Sequence, residues 1–217
     1  MSMKSSRGAA DIRPSSVRKR ESILAAAQEQ FLAHGYEAVT MDSIARVSGV
    51  AKQTLYSHFG GKEGLFLALV GSQTSAASER VLGAPPVVPD GADARTVLAP
   101  ILEQQLSTVL DPGLLALRRL VIGLMPQFPD LARSLHLNGP QRAIDSLAEV
   151  IGKMDAAGIL RASDPVLAAT QLNWLVMGEP VNRAMLLGDD EALPNGDAAG
   201  HVARALDVFL AAHRSEG

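Results

Sequence analysis

The chain has 217 residues, 47% hydrophobic and only 4% aromatic, with a formal net charge of −3 and no cysteine. That length supports a substantial core in one or two domains, and a chain without cysteine has neither a disulfide framework nor a thiolate metal site. The first residues, MSMKSSRGAA, lack the apolar stretch of a signal peptide, and the longest apolar runs, such as Leu65 to Val70, are too short to span a bilayer. The expectation is a cytoplasmic protein with no membrane partner.

The net charge hides an asymmetry. Residues 1–62 hold nine Lys/Arg and five Asp/Glu, whereas residues 63–217 hold eleven and eighteen. A basic head on an acidic body suits a nucleic-acid-binding module joined to a domain with another task. Alternation of the strand type is scarce, and with so few aromatics the chain reads as all-α.

Residues 1–14 read as a flexible basic arm carrying Lys4, Arg7 and Arg13. Such arms can enter a minor groove, and a solvated tail fits the same residues. The first helix is expected from Ser16 to His34, with Leu24, Ala27 and Phe31 at helical spacing and Gly35 as its terminator. Arg18, Lys19 and Arg20 crowd its N-terminus, where the helix dipole disfavours cations unless phosphates are near.

Next comes TMDSIARVSGVAKQTLYSHFGGK, residues 40–62. Thr40 is suited to cap a helix, and Asp42 lies in its first turn. Gly49 permits a tight turn, and a second short helix follows from about Lys52 to His58. Val50 and Leu55 are its expected inward anchors, and Ala45 is small where that helix must cross. Its outward face is Lys52, Gln53, Thr54, Tyr56 and His58. Gln53 can pair with adenine, Thr54 can touch a base edge or a thymine methyl, and Lys52 and Tyr56 can reach phosphates or bases. Lys62 opens the next helix, where free N–H groups attract phosphate. Thr40, Lys52, Gln53, Thr54, Tyr56, His58 and Lys62 are therefore the candidate DNA contacts.

Taken together, Gly35-Tyr36, Thr40, Ile44-Ala45, Gly49-Val50, Thr54-Leu55-Tyr56, His58-Phe59 and Lys62-Glu63-Gly64-Leu65 resemble the DNA-binding domain of the TetR family of bacterial repressors over about Ser15 to Val70. One position departs from the family's pattern. Ala51 stands where the family usually has Ser or Thr, so the cap of the recognition helix and one phosphate contact are missing.

A long helix is expected from Lys62 to Val81, ended by Gly83-Ala84-Pro85-Pro86 and the further break Pro89-Asp90-Gly91. The helices expected beyond it span Ala92 to Leu110, Leu114 to Met125, Asp130 to Ala157 with a kink at Gly139-Pro140, Pro165 to Leu187 and a last one ending near His213. Asp164-Pro165 is an N-cap with proline at the first helical position. The stretch from Leu117 to Leu187, through Arg119-Leu120, Phe128-Pro129, Leu131-Ala132, Gly139-Pro140, Gly158, Asp164-Pro165 and Gly178, resembles the C-terminal domain of AefR-like TetR regulators.

The expected architecture is thus an N-terminal three-helix helix-turn-helix DNA-binding domain (15–62), joined by a long helix to a helical-bundle effector-binding and dimerisation domain (63–217). The resemblance implies a homodimer formed through the last two helices, a palindromic operator in double-stranded DNA, and a small-molecule effector that releases the repressor. Met125, Phe128, His136, Gln171, Trp174 and Met177 are the candidate pocket residues. Core packing suits all six better than a place in a pocket wall. Gln104 and Gln105 suit a pocket wall or a solvated face.

Two other readings were weighed. An enzyme is disfavoured, because no catalytic motif, phosphate loop or metal-type histidine pair occurs; no catalytic residue, cofactor or metal is expected. A helical adaptor would explain the body but leaves the basic head and the Gln53/Tyr56/His58 face without a purpose.

Overall fold

The computed structural model describes residues 15–82, 88–89 and 91–214. The basic arm at 1–14, the Gly83–Pro86 break and Asp90 lie outside the described residues. The chain divides into two compact units, Met1–Leu69 and Val70–Gly217. The dividing point falls inside a helix, several residues past the motif-based division at 62.

In the first unit, α1 (Ser15–Ala38), α2 (Met41–Ser48) and α3 (Lys52–Phe59) precede α4 (Lys62–Leu82). Gly35 interrupts α1 with φ 76° and ψ 165°, so the regular helix ends at His34 as its sequence predicts. The core gathers Ile23, Ala27 and Phe31 of α1, Ile44 of α2, Leu55 of α3, and Leu65, Phe66 and Leu69 of α4. Those first turns of α4 thus complete the small core, which places them with the head. Phe31, Tyr36 and Phe66 form an aromatic cluster with centroids 5.0–5.6 Å apart. Val50 is only half-buried, and Met41 and Phe59 supply the anchoring expected of it.

The second unit continues α4 and adds α5 (Ala94–Val109), α6 (Pro112–Gly123), α7 (Pro129–His136), a π-helical turn (Leu137–Gln141), α8 (Arg142–Ala156), α9 (Pro165–Leu187), a short 3₁₀ turn (Asp189–Glu191) and α10 (Ala198–Ala212). Its core stacks Leu98, Leu102 and Leu106 of α5 with Leu147, Ile151 and Met154 of α8, Leu172 and Val176 of α9, and Val202, Leu206 and Phe209 of α10. Four of the helices start on an aspartate whose carboxylate accepts a backbone N–H: Asp93 from Thr96, Asp111 from Leu114, Asp164 from Leu167 and Asp197 from Gly200.

One boundary differs from expectation. Asp111-Pro112 opens α6, with proline at its start, so this helix begins and ends earlier than Leu114 to Met125. The span 130–157 is helical with its irregularity at Gly139-Pro140, as expected: Pro140 has no N–H to donate, and the run passes through the π turn there. A similar loss occurs inside α9, where Pro180 cannot bond to the Val176 carbonyl one turn back. His201 of α10 fills the gap, its Nε2–H donating to Val176 O at 2.8 Å. At the other end of α10, His213 and Arg161 exchange two hydrogen bonds, His213 Nδ1 to Arg161 O at 2.7 Å and Arg161 N–H to His213 O at 2.9 Å.

Candidate nucleic-acid interface and effector cavity

The frame around α3 is built from caps and close approaches. Thr40 Oγ1 accepts the Ser43 N–H at 3.1 Å while Ser43 Oγ accepts the Thr40 N–H at 3.2 Å, a reciprocal cap on α2. Gly49 takes φ 70° between α2 and α3, a conformation that disfavours any residue with a Cβ. Ser22 Oγ of α1 donates to Ser48 O at 3.2 Å and ties α1 to the end of α2. Gly60 closes α3, donating to Tyr56 O at 2.8 Å. Gly64 then passes so close that a Cβ there would lie 2.0 Å from Phe59 O.

On this frame the outward face of α3 presents Lys52, Gln53, Tyr56 and His58 exposed and Thr54 half-buried, while Leu55 and Phe59 point inward. The ammonium of Lys52 meets Asp42 at 2.7 Å and lies 6.0 Å from the Tyr56 ring centroid. The hydrogen bond and charge of Asp42 raise the Lys52 ammonium above its ordinary pKa, keeping it cationic. Ala51 precedes α3 with no side-chain cap; only its carbonyl receives the Thr54 N–H at 2.8 Å.

Two of the seven candidate contacts have structural tasks. Thr40 is exposed, but its oxygen serves as the α2 cap, which leaves its hydroxyl proton as the group a phosphate can use. Lys62 differs from the expectation more sharply. Its Nζ donates to Tyr36 O at 3.0 Å and Glu37 O at 3.3 Å, and lies 4.4 Å over the Tyr36 ring. It clasps the end of α1, because the carbonyls beyond Gly35 have lost their helical partners.

In the second unit a cavity of about 160 Å³ lies among α4, α5, α6, α7, the π turn, α8 and α9. One face of α4, Thr74, Ala77, Ser78 and Val81, forms a wall at i, i+3, i+4 and i+7 spacing. Among the described residues, all five buried polar side chains line this cavity: Thr74, Ser78, Gln105, Thr108 and Asn173. Thr74 Oγ1 donates to Val70 O at 2.7 Å, Ser78 Oγ donates to Asn138 O, and Thr108 Oγ1 accepts from Gln104 Nε2 at 3.3 Å. Gln105 is 2% exposed and its Oε1 has no hydrogen-bond donor. Arg118 is the one charged residue in the lining, and burial lowers the pKa of its guanidinium.

Of the six expected pocket residues, the structure brings Trp174 and Met177 to this cavity. Met125 lies past the end of α6 and is 52% exposed, a consequence of the early stop at Gly123. His136 is exposed and Phe128 half-buried, neither in the lining; α7 enters the lining through Leu135 instead. Gln171 lies on the outer side of α9, beside a shallow depression shared with Trp174, Val208 and His213. The residues missed carried a signal. Leu114, Leu117, Arg118 and Val121 repeat at helical spacing, so Arg118 stands inside an apolar stripe, where a cation is out of place.

Residues 23–69 match the family model of the bacterial regulatory proteins of the tetR family, and residues 96–215 match that of the AefR-like transcriptional repressor C-terminal domain. The chain belongs to the TetR family of bacterial regulators. A TetR-family transcriptional regulator from Mesorhizobium loti has a similar structure, with a TM-score of 0.85 and 29% identity over 93% of this chain and 100% of that one. The flavonoid-responsive regulator FrrA matches with a TM-score of 0.76 and 30% identity, at the same coverage. The transcriptional repressor AcnR of Corynebacterium efficiens is 37% identical over 65 residues, 30% of this chain and 35% of AcnR. The match thus spans about a third of the length of that curated relative. Among the described residues no helix is long and apolar enough to cross a membrane, and no group of three His, Asp or Glu could hold a metal ion.

Proposed function

We propose that this TetR-family regulator is a homodimeric repressor that binds a near-palindromic operator through α3 and leaves it when a small molecule fills the body cavity. The observation that carries this reading is the pairing, in one chain, of an exposed α3 face bearing Gln53, Thr54, Tyr56 and His58 with a cavity that holds every described buried polar side chain. Gln53 and Thr54 read base edges; Lys52, Tyr56, His58 and the Thr40 hydroxyl set the register on the backbone. Lys62 acts by holding Tyr36 in place. Trp174, Leu175 and Val208 leave apolar surface exposed on α9 and α10, which suits burial against the same helices of a second copy. Val208→Glu should shift the protein to monomers in sedimentation.

The cavity wall on α4 gives the ligand a route to the head. A ligand that favours one placement of α4 shifts the dimer toward one spacing of its two recognition helices. The coupling is reciprocal, so operator DNA weakens that ligand by the same factor. Similarity to a flavonoid-responsive regulator supports a small-molecule signal, and similarity to AcnR supports repression. No catalytic step, cofactor or metal is assigned.

The test is selection of fragments of the source genome by the purified protein, followed by sequencing. One enriched inverted repeat whose binding falls steeply with salt is expected. No enrichment at low salt, repeated after unfolding and refolding to strip any bound molecule, would sink the reading.

A further inference from the structure

The cavity's polar groups describe a ligand. Arg118 is the one charged residue in the wall, and among the described residues no carboxylate is paired with it. A half-buried guanidinium facing an apolar cavity without a counter-charge is costly, and its planar fork of donors matches a carboxylate. Gln105 is an independent observation on a different helix: buried, in the same wall, with an acceptor oxygen that no donor reaches. Asn173, from α9, is a second buried amide in the lining.

Apart from the hydroxyls of Thr74, Ser78 and Thr108, which are hydrogen-bonded within the protein, the remaining wall is apolar, including Val81, Leu114, Leu117 and Met177. A single cation in such a wall suits one negative charge, whereas a phosphate dianion would call for a second. The volume of 160 Å³ sets the size of the apolar part, since a cavity of about 150 Å³ takes a benzene ring.

We propose that the cavity takes a small organic carboxylate with a body of about one ring and a hydroxyl group, the carboxylate pairing with Arg118 and the hydroxyl donating to Gln105 Oε1. This rests on the ligand-released reading only for its regulatory consequence. Binding itself is a property of the body and is measured without DNA.

The test uses calorimetry on the purified full chain with four probes: 3-(4-hydroxyphenyl)propionate, its methyl ester, the amine 4-(2-aminoethyl)phenol, and 3-phenylpropionate, which lacks the hydroxyl. The hydroxy acid is expected to bind at least about tenfold more tightly than the ester or the amine, and several-fold more tightly than 3-phenylpropionate. In Arg118→Met the hydroxy acid should fall to the level of the ester while the ester keeps its affinity. In Gln105→Leu the preference for the hydroxyl should vanish and the preference for the acid persist. Arg118→Met should also melt no lower than the parent without ligand, because it removes a desolvated cation; a residue kept only for packing would give the opposite.

Equal binding of acid and ester overturns the inference. So does an unchanged acid preference in Arg118→Met, or no binding of the hydroxy acid at about 10 mM. Should Arg118→Met fail to fold, the ratio of acid to ester affinity in the parent decides alone. Each of these failures leaves operator recognition untouched, since fragment selection tests that separately.

Discussion

The two compact units place their polar chemistry on opposite sides of their cores. In the head, the described buried residues are all apolar, and the polar groups of α3 stand at the surface. Among the described residues of the body, five polar side chains are buried and all five line one cavity. A surface that reads DNA meets its partner from solvent and costs the fold little. A cavity that receives a small molecule must hold desolvated polar groups before the ligand arrives, which lowers the stability of the empty protein. Substitutions in the head should therefore separate function from stability cleanly, whereas those in the body should exchange one for the other.

The largest expected effect tests the rigid frame of the head. Gly64→Ala would put a methyl group 2.0 Å from the Phe59 carbonyl oxygen, a backbone atom that cannot swing aside. Relieving the clash must part α3 from α4, and we expect a loss of about 3 kcal/mol in denaturant unfolding. A loss below about 0.5 kcal/mol, within the range of ordinary surface substitutions, would show that the α3–α4 turn is slack. Next in size is Gln53→Ala on the same frame. It should weaken specific operator binding by about 2 kcal/mol, roughly thirtyfold, and leave the melting temperature unchanged. A stability change of the same size would break the division between reading surface and frame.

In the body the sharpest contrast lies between a polar group that the protein satisfies and one that it leaves free. His201→Ala removes the donor to the Val176 carbonyl that Pro180 cannot supply. The orphaned carbonyl should cost about 1.5 kcal/mol in thermal or urea unfolding. Gln105→Leu removes an oxygen that has no donor and should cost nothing or stabilise the chain. Equal losses in the two variants would mean that Gln105 is a packing residue after all.

The head was legible because its function follows from local rules. The Thr40 cap, the Gly49 turn and the outward positions of an eight-residue helix depend on residues close in sequence, and the structure has each of them. Lys62 was harder, since its clasp on Tyr36 spans 26 positions and forms only once α1 and α4 meet. The body's helices were legible from their periodicity, but the cavity depends on seven elements meeting at once. Trp174 and Met177 lie on the cavity side of α9, whereas Gln171 of the same helix does not. His136 and Phe128 stand outside the lining, which α7 enters through Leu135, and the choice among neighbouring positions of one short helix is made by tertiary packing. Arg118 was visible as a cation in an apolar stripe, and pairwise sequence neighbours give no hint of what lies across from it.

The smallest effect concerns the one place where the head departs from its family. The α2 helix begins with a reciprocal cap, whereas α3 begins at Ala51, whose side chain makes no cap hydrogen bond. Ala51 already holds an extended conformation, φ −65° and ψ 140°, so Ala51→Ser needs no backbone change to place its hydroxyl over the free N–H groups of the first turn. The gain in stability should be about 0.5–1 kcal/mol, measurable as a rise in melting temperature. The same hydroxyl stands where a DNA phosphate would approach the start of α3, so operator affinity should rise alongside it. If stability rises and affinity does not, the N-terminus of α3 stands away from the DNA backbone. The contacts would then centre on Tyr56 and His58, one turn further along the helix.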